Sequence, residues 1–316
     1  MPRACYFFSI ALLVLPLGAD EILDQKAGAR KVAGGCKFTE GPAVSPSGEL
    51  FFSDIENNRI MRVAESGKVE EFRRPSGRAN GIVFDAGGRL VMCQGGGPDG
   101  GRRVVRLEKD GRETVLAETY GGKKFIAPND LCIDGRGRIF FTDPYYGPPA
   151  VKSQPSSGVY LIAAEGRVRL LLKDLLKPNG IALSPDGRHL YISDRGTQKL
   201  HRYRVEEEGN LAERKIVYDF SPDRGIDGMC LDARGNIYGA AGQEKTTGLF
   251  VISPGGKLLL HRPMPEFSTN VTFGGKDGRD LYLTASSSVY KMRALQAGIP
   301  WPARALRGRA RAAAGD

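Results

Sequence analysis

Residues 178–194 read PNGIALSPDGRHLYISD, and this stretch decides the fold. Asn179 precedes a short apolar segment, the turn SPDG follows, and a second apolar segment returns. Two short apolar runs joined by a glycine-containing turn are typical of a β-hairpin. Asn179 stands eight positions before Gly187, the last residue of the turn. The stretch therefore predicts a β-hairpin that is led by an asparagine.

The same hairpin occurs six times along the chain. The copies read EGPAVSPSGELFFSD, NGIVFDAGGRLVMCQ, NDLCIDGRGRIFFTD, NGIALSPDGRHLYISD, DGMCLDARGNIYGA and NVTFGGKDGRDLYLTA. Their turn glycines are Gly48, Gly88, Gly137, Gly187, Gly235 and Gly278, at spacings of 40, 49, 50, 48 and 43 residues. Repeats of this length with a hairpin core are the signature of β-propeller blades. The sequence therefore predicts an all-β protein that forms a six-bladed β-propeller.

Further strands complete the predicted blades. A third apolar segment usually follows the hairpin, as in KLHRYRV and GLFVI, and a fourth is visible in several repeats, as in KIVYDF. The last repeat has no fourth segment after SVYKM, and ARKVAGG near residue 30 would supply it. We expect this pairing to close the ring, because closure removes the exposed sheet edges of an open array.

Composition and the chain ends indicate an exported globular protein. The chain has 316 residues, of which 41% are hydrophobic, with 42 glycines and 19 prolines. A basic start, an apolar run over 6–17 and small residues before Asp20 predict a signal peptide at 1–19. The propeller is expected over 20–297 and a basic tail over 298–316. This layout predicts a periplasmic or secreted protein, with an uncleaved membrane anchor as the alternative.

The charge of the chain does not indicate a nucleic-acid partner. The formal net charge is +10, and part of it lies in the tail ARALRGRARAAAGD. A nucleic-acid patch would have aromatic residues among the basic ones on a folded face, whereas this tail has none after Trp301. We therefore expect no nucleic-acid partner, no membrane contact after signal cleavage, and a monomer or weak dimer.

One polar position is repeated in all six hairpins. The residues eight positions before the turn glycines are Glu40, Asn80, Asn129, Asn179, Asp227 and Asn270, and we call them the ring residues. Because the first strand of every blade lines the central channel of a propeller, equivalent positions lie at one height. We expect the ring residues to surround the mouth of the channel.

The chemistry of the ring residues favours a hard divalent cation. Carboxylate and carboxamide oxygens suit Ca²⁺ or Mg²⁺, while the absence of His and Cys argues against a typical zinc or copper site. Two carboxylates brought together repel each other unless a cation offsets their charge. Ca²⁺ is favoured, since it tolerates irregular geometry and neutral ligands, with Mg²⁺, Mn²⁺ and Zn²⁺ as the alternatives. A structural alternative is that each polar residue only bonds a free backbone group.

Two other sets of polar residues are weaker candidates for a functional site than the ring residues. Asp54, Asp143 and Asp194 end the second strands of their blades, where turn caps are more common than ligands. The three histidines fall in a turn or on outer strands, which argues against a Ser-His-Asp triad.

Several motifs together resemble one known family. FTEGPAVSPSGELFFSDIENNRI, APNDLCIDGRGRIFFTDPYYG, KPNGIALSPDGRHLYISD and GIDGMCLDARGNIYGA closely resemble the gluconolactonase / senescence marker protein 30 / luciferin-regenerating enzyme family. The ending TNVTFGGKDGRDLYLTASSSVYKM is similar to that of bacterial gluconolactonase-type members. The resemblance runs from about Phe38 to Met292. It implies a six-bladed propeller that holds a divalent cation, usually calcium, on its axis and opens sugar lactones.

The resemblance also implies roles for particular residues. It makes Glu40, Asn179 and Asp227 metal ligands, and Asn129 a contact of the metal, of substrate or of water. Asp227 corresponds to the general base as well. One departure concerns Ala127, because mammalian-type members have an arginine at this position, two residues before Asn129.

The remaining candidates would contact the substrate. Asn80 and Asn270, and Asn129 where it does not bind the metal, are predicted to hold substrate hydroxyls. Tyr145 and Tyr146 follow the third hairpin in the loop DPYYGPP and are predicted to wall the pocket, with a packing role as the alternative.

Two further functions stay open on the sequence alone. Phosphotriester or fluorophosphate hydrolysis would use a similar cation and an activated water. A non-catalytic propeller would bind a partner through its faces and keep the ion as a structural plug. The paired histidines of the related paraoxonases are missing here, which counts against that subgroup.

Overall fold

The computed structural model describes residues 22–24, 26–146 and 153–299. The predicted signal peptide at 1–19 and residues 300–316 of the tail predicted over 298–316 lie outside the described residues. In the part that is described, the main elements are six four-stranded antiparallel sheets, accompanied by one two-stranded hairpin. The six-bladed β-propeller predicted from the repeats is confirmed. None of the described segments forms a helix that is long and apolar enough to cross a membrane.

The strands are numbered along the chain, beginning with β1 (Arg30–Ala33). Blade 1 contains β2 (Thr39–Val44), β3 (Leu50–Asp54), β4 (Arg59–Val63) and β5 (Val69–Arg73). Blade 2 contains β6 (Ala79–Phe84), β7 (Leu90–Gln94), β8 (Arg103–Leu107) and β9 (Glu113–Ala117). The small hairpin β10 (Thr119–Tyr120) and β11 (Lys123–Lys124) precedes blade 3, which contains β12 (Leu131–Ile133), β13 (Ile139–Asp143), β14 (Gly158–Ile162) and β15 (Val168–Leu172).

Blade 4 contains β16 (Pro178–Leu183), β17 (His189–Asp194), β18 (Lys199–Val205) and β19 (Leu211–Asp219). Blade 5 contains β20 (Met229–Leu231), β21 (Ile237–Ala241), β22 (Gly248–Ile252) and β23 (Leu258–Pro263). Blade 6 contains β24 (Ser268–Gly274), β25 (Asp280–Ala285) and β26 (Ser288–Arg293). In each blade the strands pair in chain order, so the first strand lies at one edge of its sheet.

The hairpin turns have the geometry that their glycines indicate. In blade 4 the Gly187 N–H donates to the Ser184 carbonyl at 2.9 Å, which closes a tight turn. Gly187 has a φ of 71°, in the left-handed region that residues with a side chain rarely adopt. The turn therefore depends on glycine, which explains why the last turn residue is glycine in every repeat.

The ring is closed by the N-terminal strand, as the sequence predicts. β1 pairs with β26 in an antiparallel arrangement that matches Arg30 with Lys291 and Lys31 with Tyr290. Blade 6 thereby gains its fourth strand from the opposite end of the chain. This contact therefore ties the stability of the N-terminal strand to that of the last repeat.

Glu266 fastens this closure from the loop that leads into blade 6. Its carboxylate accepts hydrogen bonds from Lys31 Nζ at 3.0 Å, Ser288 Oγ at 2.7 Å and Tyr290 Oη at 2.7 Å. The Ser287 hydroxyl adds another at 3.0 Å. Burial by itself would raise the pKa of Glu266, but these hydrogen bonds outweigh it and lower the pKa to about 2. One carboxylate thus joins β1, β26 and the preceding loop.

The hydrophobic core lies between neighbouring blades. Between blades 2 and 3, for example, Phe125 packs edge-on against Phe141 and Tyr160, with ring centroids 5.1 and 5.0 Å apart. All three side chains are buried. Because every blade packs against two others, the six inner strands are held at fixed positions around the channel.

We predict that Glu266→Gln lowers the free energy of unfolding by about 1–3 kcal/mol at pH 7, because it removes a charged acceptor of several hydrogen bonds. The pKa of Glu266 is lower in the folded state than in the unfolded chain. Its contribution to stability is therefore complete above the unfolded value near 4.5 and is lost as the pH falls toward about 2.

Thermal unfolding followed between pH 7 and pH 2.5 measures this difference. The matched control is Glu65→Gln, which changes an exposed glutamate. Equal unfolding temperatures for the two variants at pH 7 would show that Glu266 does not fasten the closure.

Candidate active site at the channel mouth

The ring residues stand where each inner strand begins. Four of them lie inside β2, β6, β16 and β24, whereas Asn129 and Asp227 come just before the shorter β12 and β20. In the four longer strands the pairing register shifts at or beside the ring residue, as between Glu40 and Ala43. Irregularities of this kind bend a strand and re-aim its side chains. The backbone therefore departs from regular strand pairing at the ring residues, which changes the direction of their side chains at the channel mouth.

Hydroxyl groups of the second strands hold these inner strands together. Ser53 Oγ in blade 1 donates to the Asn80 carbonyl of blade 2 at 2.7 Å. Thr142 Oγ1 in blade 3 donates in the same way to the Asn179 carbonyl of blade 4 at 2.8 Å. These bonds cross from one blade to the next, so the ring residues are positioned by their neighbours as well as by their own blades.

Glycines after the ring residues allow the inner strands to approach closely. The four glycines of this kind are Gly41, Gly81, Gly180 and Gly228. A Cβ added at Gly41 would overlap the Asn80 carbonyl, and one added at Gly228 would overlap the Asn270 side chain. A side chain at these positions would push neighbouring blades apart and widen the mouth.

Three aspartates at the ends of second strands hold the loops that lead into the ring. Each accepts hydrogen bonds from two consecutive backbone N–H groups shortly before the ring residue of its own blade. The donors are Lys37 and Phe38 for Asp54, Ile126 and Ala127 for Asp143, and Leu176 and Lys177 for Asp194. These aspartates therefore bind backbone groups of a preceding loop, and Asp194 also caps its own turn by accepting from the Gly196 N–H at 2.9 Å.

Glu40 is a buried carboxylate at the mouth. Its side chain belongs to a residue only 5% exposed, and Oε2 accepts hydrogen bonds from the Gly41 N–H at 2.9 Å and from Asn270 Nδ2 at 3.1 Å. Burial, followed by the negative charges of Asp227 and Asp130, raises its pKa well above the ordinary value. Glu40 therefore lies close to other carboxylates of the mouth.

Asp227 is held at the same mouth by two arginines. Arg224 Nη1 donates to Asp227 Oδ2 at 2.9 Å, and its other nitrogens donate to the carbonyls of Gly242 and Ser268, both at 2.6 Å. Arg195 Nη1 lies 3.5 Å from each Asp227 oxygen, at the outer limit of a hydrogen bond. Arg224 thus fixes one oxygen of Asp227, while the other oxygen has only a long contact.

Asn179 and Tyr146 meet beside these carboxylates. Asn179 is buried, and its Nδ2 donates to Tyr146 Oη at 2.6 Å. Burial and then the charge of Asp227 raise the pKa of Tyr146 to about 12. Tyr146 is 48% exposed overall, so its hydroxyl reaches into the mouth while part of its ring faces solvent. The structure thus places the Tyr146 hydroxyl beside Asn179, and its role as a wall of the substrate pocket stays a prediction.

The other predicted substrate contacts occupy different positions. Asn80 and Asn129 are half-buried at the mouth. Asn270 is buried and directs its amide toward Glu40 and Asp130. Tyr145 contributes a backbone N–H to Ser157 Oγ at 2.9 Å. The substrate roles of these four residues stay predictions.

The donor set at the mouth fits a hard cation. In the described part of the chain, no group of three or more His, Cys, Asp or Glu side chains could hold a metal ion by itself. The predicted set has only two carboxylates, Glu40 and Asp227, and takes its other oxygens from Asn129 and Asn179. Glu40 Oε1 accepts no hydrogen bond from another described residue, and neither does Asn179 Oδ1, so both oxygens remain available to a cation.

Below the ring the channel is lined mostly by apolar residues. A cavity of about 130 Å³ lies there, with Asp130 and Asn270 at its ring end. Phe84, Phe273 and Ile299 are among its other lining residues. Such surroundings disfavour charged carboxylates, which is why burial is the largest cause of the raised pKa of Glu40 and of Asp130, the latter to about 7.

The sequence analysis missed three charged residues of the mouth. Asp130 stands where four other repeats have glycine, and this exception was its only signal. Arg224 precedes Asp227 by three residues, and Arg195 follows the capping Asp194. Neither arginine is repeated at the equivalent positions of the other blades, so the comparison of repeats could not reveal them.

Comparison with known proteins places this geometry in a family. Residues 38–287 match the family described as SMP-30/Gluconolactonase/LRE-like region. A gluconolactonase from Zymomonas mobilis is 30% identical over 87% of this chain and 83% of its own length. A 6-deoxy-6-sulfogluconolactonase from Pseudomonas putida is 28% identical over 80% of this chain and 83% of its own.

A solved structure leads to the same conclusion. A gluconolactonase from Xanthomonas campestris superposes with a TM-score of 0.76 at 29% identity, over 84% of this chain and 89% of that one. The chain therefore belongs to the SMP-30/gluconolactonase/LRE-like family.

Proposed function

We propose that the protein hydrolyses lactones of sugar acids with the help of a divalent cation bound by Glu40, Asn129, Asn179 and Asp227. The observation that carries the proposal is a pair of buried carboxylates at one channel mouth, Glu40 from blade 1 and Asp227 from blade 5, close enough for the charge of Asp227 to raise the pKa of Glu40. Relatives that share most of the chain are named gluconolactonases, which supports a lactone as the substrate.

Calcium is the cation that the ligands favour. Carboxylates and amide carbonyls are hard oxygen donors, and Ca²⁺ accepts neutral ligands and irregular geometry more readily than Mg²⁺. When bound, the cation would supply Lewis-acid polarisation of the lactone carbonyl and stabilise the charge that develops on its oxygen.

Asp227 is proposed to act as the general base. A base must lie within hydrogen-bonding reach of the water whose proton it takes, and one Asp227 oxygen has only the long contact to Arg195. Arg224 holds the other oxygen at 2.9 Å and so fixes the orientation of the carboxylate. The pocket around it would be completed by Tyr146, by Tyr145, and by Asn80, Asn129 and Asn270 as partners of substrate hydroxyls.

We predict that Asp227→Asn retains the fold but lowers kcat by about 10²- to 10⁴-fold, because the amide cannot accept the proton. Turnover of an aldonolactone is the measurement, with far-ultraviolet circular dichroism for the fold. The control is Asp219→Asn, which changes an exposed aspartate at the end of β19, the outermost strand of blade 4.

Asp227 is also a proposed ligand, so the bound cation should be quantified in both variants by elemental analysis. A variant that keeps its cation and loses turnover supports the base. An unchanged rate in Asp227→Asn would remove Asp227 from the mechanism.

We predict that chelation abolishes lactone hydrolysis and that added Ca²⁺ restores it. Removing the cation leaves Glu40 and Asp227 with uncompensated repulsion, so the unfolding temperature should fall as well. Glu40→Gln should raise the Ca²⁺ concentration that is needed to restore activity and the unfolding temperature. Titration of activity and of thermal unfolding with Ca²⁺ measures this shift.

The same titration tests the competing functions. A propeller with a merely structural ion would be stabilised by Ca²⁺ without opening any lactone. A phosphotriesterase would turn over a model organophosphate under the same conditions and leave aldonolactones intact.

We also propose that the protein is exported, because the layout of residues 1–19 is that of a signal peptide. The mature protein should then begin at Asp20, which N-terminal sequencing of the protein recovered from its native compartment would establish. Recovery of a chain that starts at Met1 would contradict export with cleavage.

A further inference from the structure

Arg195 is unusual among equivalent residues of the six blades. The residues that directly follow the second strands are Ile55, Gly95, Pro144, Arg195, Gly242 and Ser286, all of them described. Arg195 is the one charged residue in this set. Its backbone N–H donates to the Lys177 carbonyl at 3.0 Å, which anchors the start of its loop to the segment that leads into Asn179. A long cation therefore projects from a fixed point at the channel mouth.

The hydrogen-bonding capacity of this guanidinium is largely unused. Its acceptors among the described residues are the two Asp227 oxygens, both at 3.5 Å from Nη1, and the Tyr146 hydroxyl. Arg195 Nε is buried and has no hydrogen-bond partner in the described chain. A planar guanidinium with five donors is suited to an anionic group that can accept two parallel hydrogen bonds.

Arg224, in contrast, has a structural role, because its guanidinium is held by several short hydrogen bonds. It donates at 2.9 Å to Asp227 and at 2.6 Å to each of two backbone carbonyls, and it stacks on Phe267 at 4.0 Å. With Arg224 already in place, Asp227 does not need Arg195 as its partner. The second arginine is therefore free to serve a group that enters the mouth from solvent.

Lys177 adds positive charge at the same side of the mouth. This exposed lysine lies with Nζ 5.8 Å from the centre of the Tyr146 ring. The chain as a whole has a formal net charge of +10, which favours the approach of anionic molecules. Arg195 and Lys177 thus form a cationic rim beside the carboxylates, on the side where Tyr146 lies.

We infer that Arg195, assisted by Lys177, binds an anionic substituent of the lactone substrate, such as a carboxylate, sulfonate or phosphate group. The inference rests on the proposed lactone hydrolysis and adds a preference to it. A lactone seated over Glu40 and Asp227 lies within reach of Arg195, since Nη1 is 3.5 Å from Asp227. The guanidinium would then exchange two long contacts for a direct, charge-assisted pair.

The test compares two lactones that differ only in charge. One is an aldonolactone with a terminal CH₂OH group, and the other has a carboxylate in place of that group. The wild-type protein, loaded with Ca²⁺, should show a higher kcat/KM on the carboxylate form. Arg195→Gln should lower kcat/KM on that form by about 10- to 100-fold, mainly through KM, because a charge-assisted pair is lost. The neutral lactone should lose less, so the ratio of kcat/KM between the carboxylate and neutral forms should fall.

Two variants complete the test. Arg195→Lys keeps the charge but not the planar fork, and so should recover part of the loss. Arg78→Gln is the matched control, because Arg78 lies on the loop before Asn80 and pairs with Glu56 at 2.6 Å instead of with Asp227.

Each outcome decides the inference. Equal losses on both lactones would overturn it and make Arg195 a positioning residue for Asp227. Equal kcat/KM of the wild type on both lactones would overturn it while leaving lactone hydrolysis intact. If the protein turned over neither of the two lactones, the proposed function and this preference would be overturned together.

Discussion

The close approach of six inner strands around one channel is the constraint on which the rest of the structure depends. The glycines after the ring residues permit it, since a Cβ at Gly41 or Gly228 would overlap the next blade. Hydroxyls such as Ser53 and Thr142 secure it by bonding across the blade boundary. The ring residues come from points spread over more than two hundred positions of the chain, yet they share one small mouth. Any change that widens the mouth would separate all of them at once.

This close approach has an electrostatic cost, because it brings carboxylates together at the channel mouth. Packing inner strands tightly brings Glu40, Asp130 and Asp227 together above an apolar cavity, where burial and like charge raise the pKa of Glu40 and of Asp130. Two arginines offset part of that charge, with Arg224 held firmly and Arg195 held loosely. A divalent cation would offset the remainder. The carboxylate pair that is unfavourable for folding is therefore what makes the mouth suitable for metal-assisted chemistry.

Much of the architecture follows from local patterns. The alternation of apolar segments with glycine turns predicts each hairpin, because side-chain periodicity and turn geometry are properties of short stretches. Its sixfold recurrence predicts the propeller, and the missing fourth strand after SVYKM predicts closure by the segment around Arg30. Asp54, Asp143 and Asp194 bind backbone N–H groups, but the donors of these bonds lie in a loop 16 to 18 residues earlier, which a local turn pattern does not predict.

The sequence by itself determined the number of blades, the position of the ring in each, and the oxygen chemistry of that ring, because these repeat at a readable interval. Only the tertiary structure decided which charges face one another. Asp130, Arg195 and Arg224 share no residue type with the equivalent positions of the other blades, and they reach the mouth because closure of the circle brings the blades that carry them beside Glu40. Coulomb interactions depend on distance through space, and no spacing along the chain records that distance.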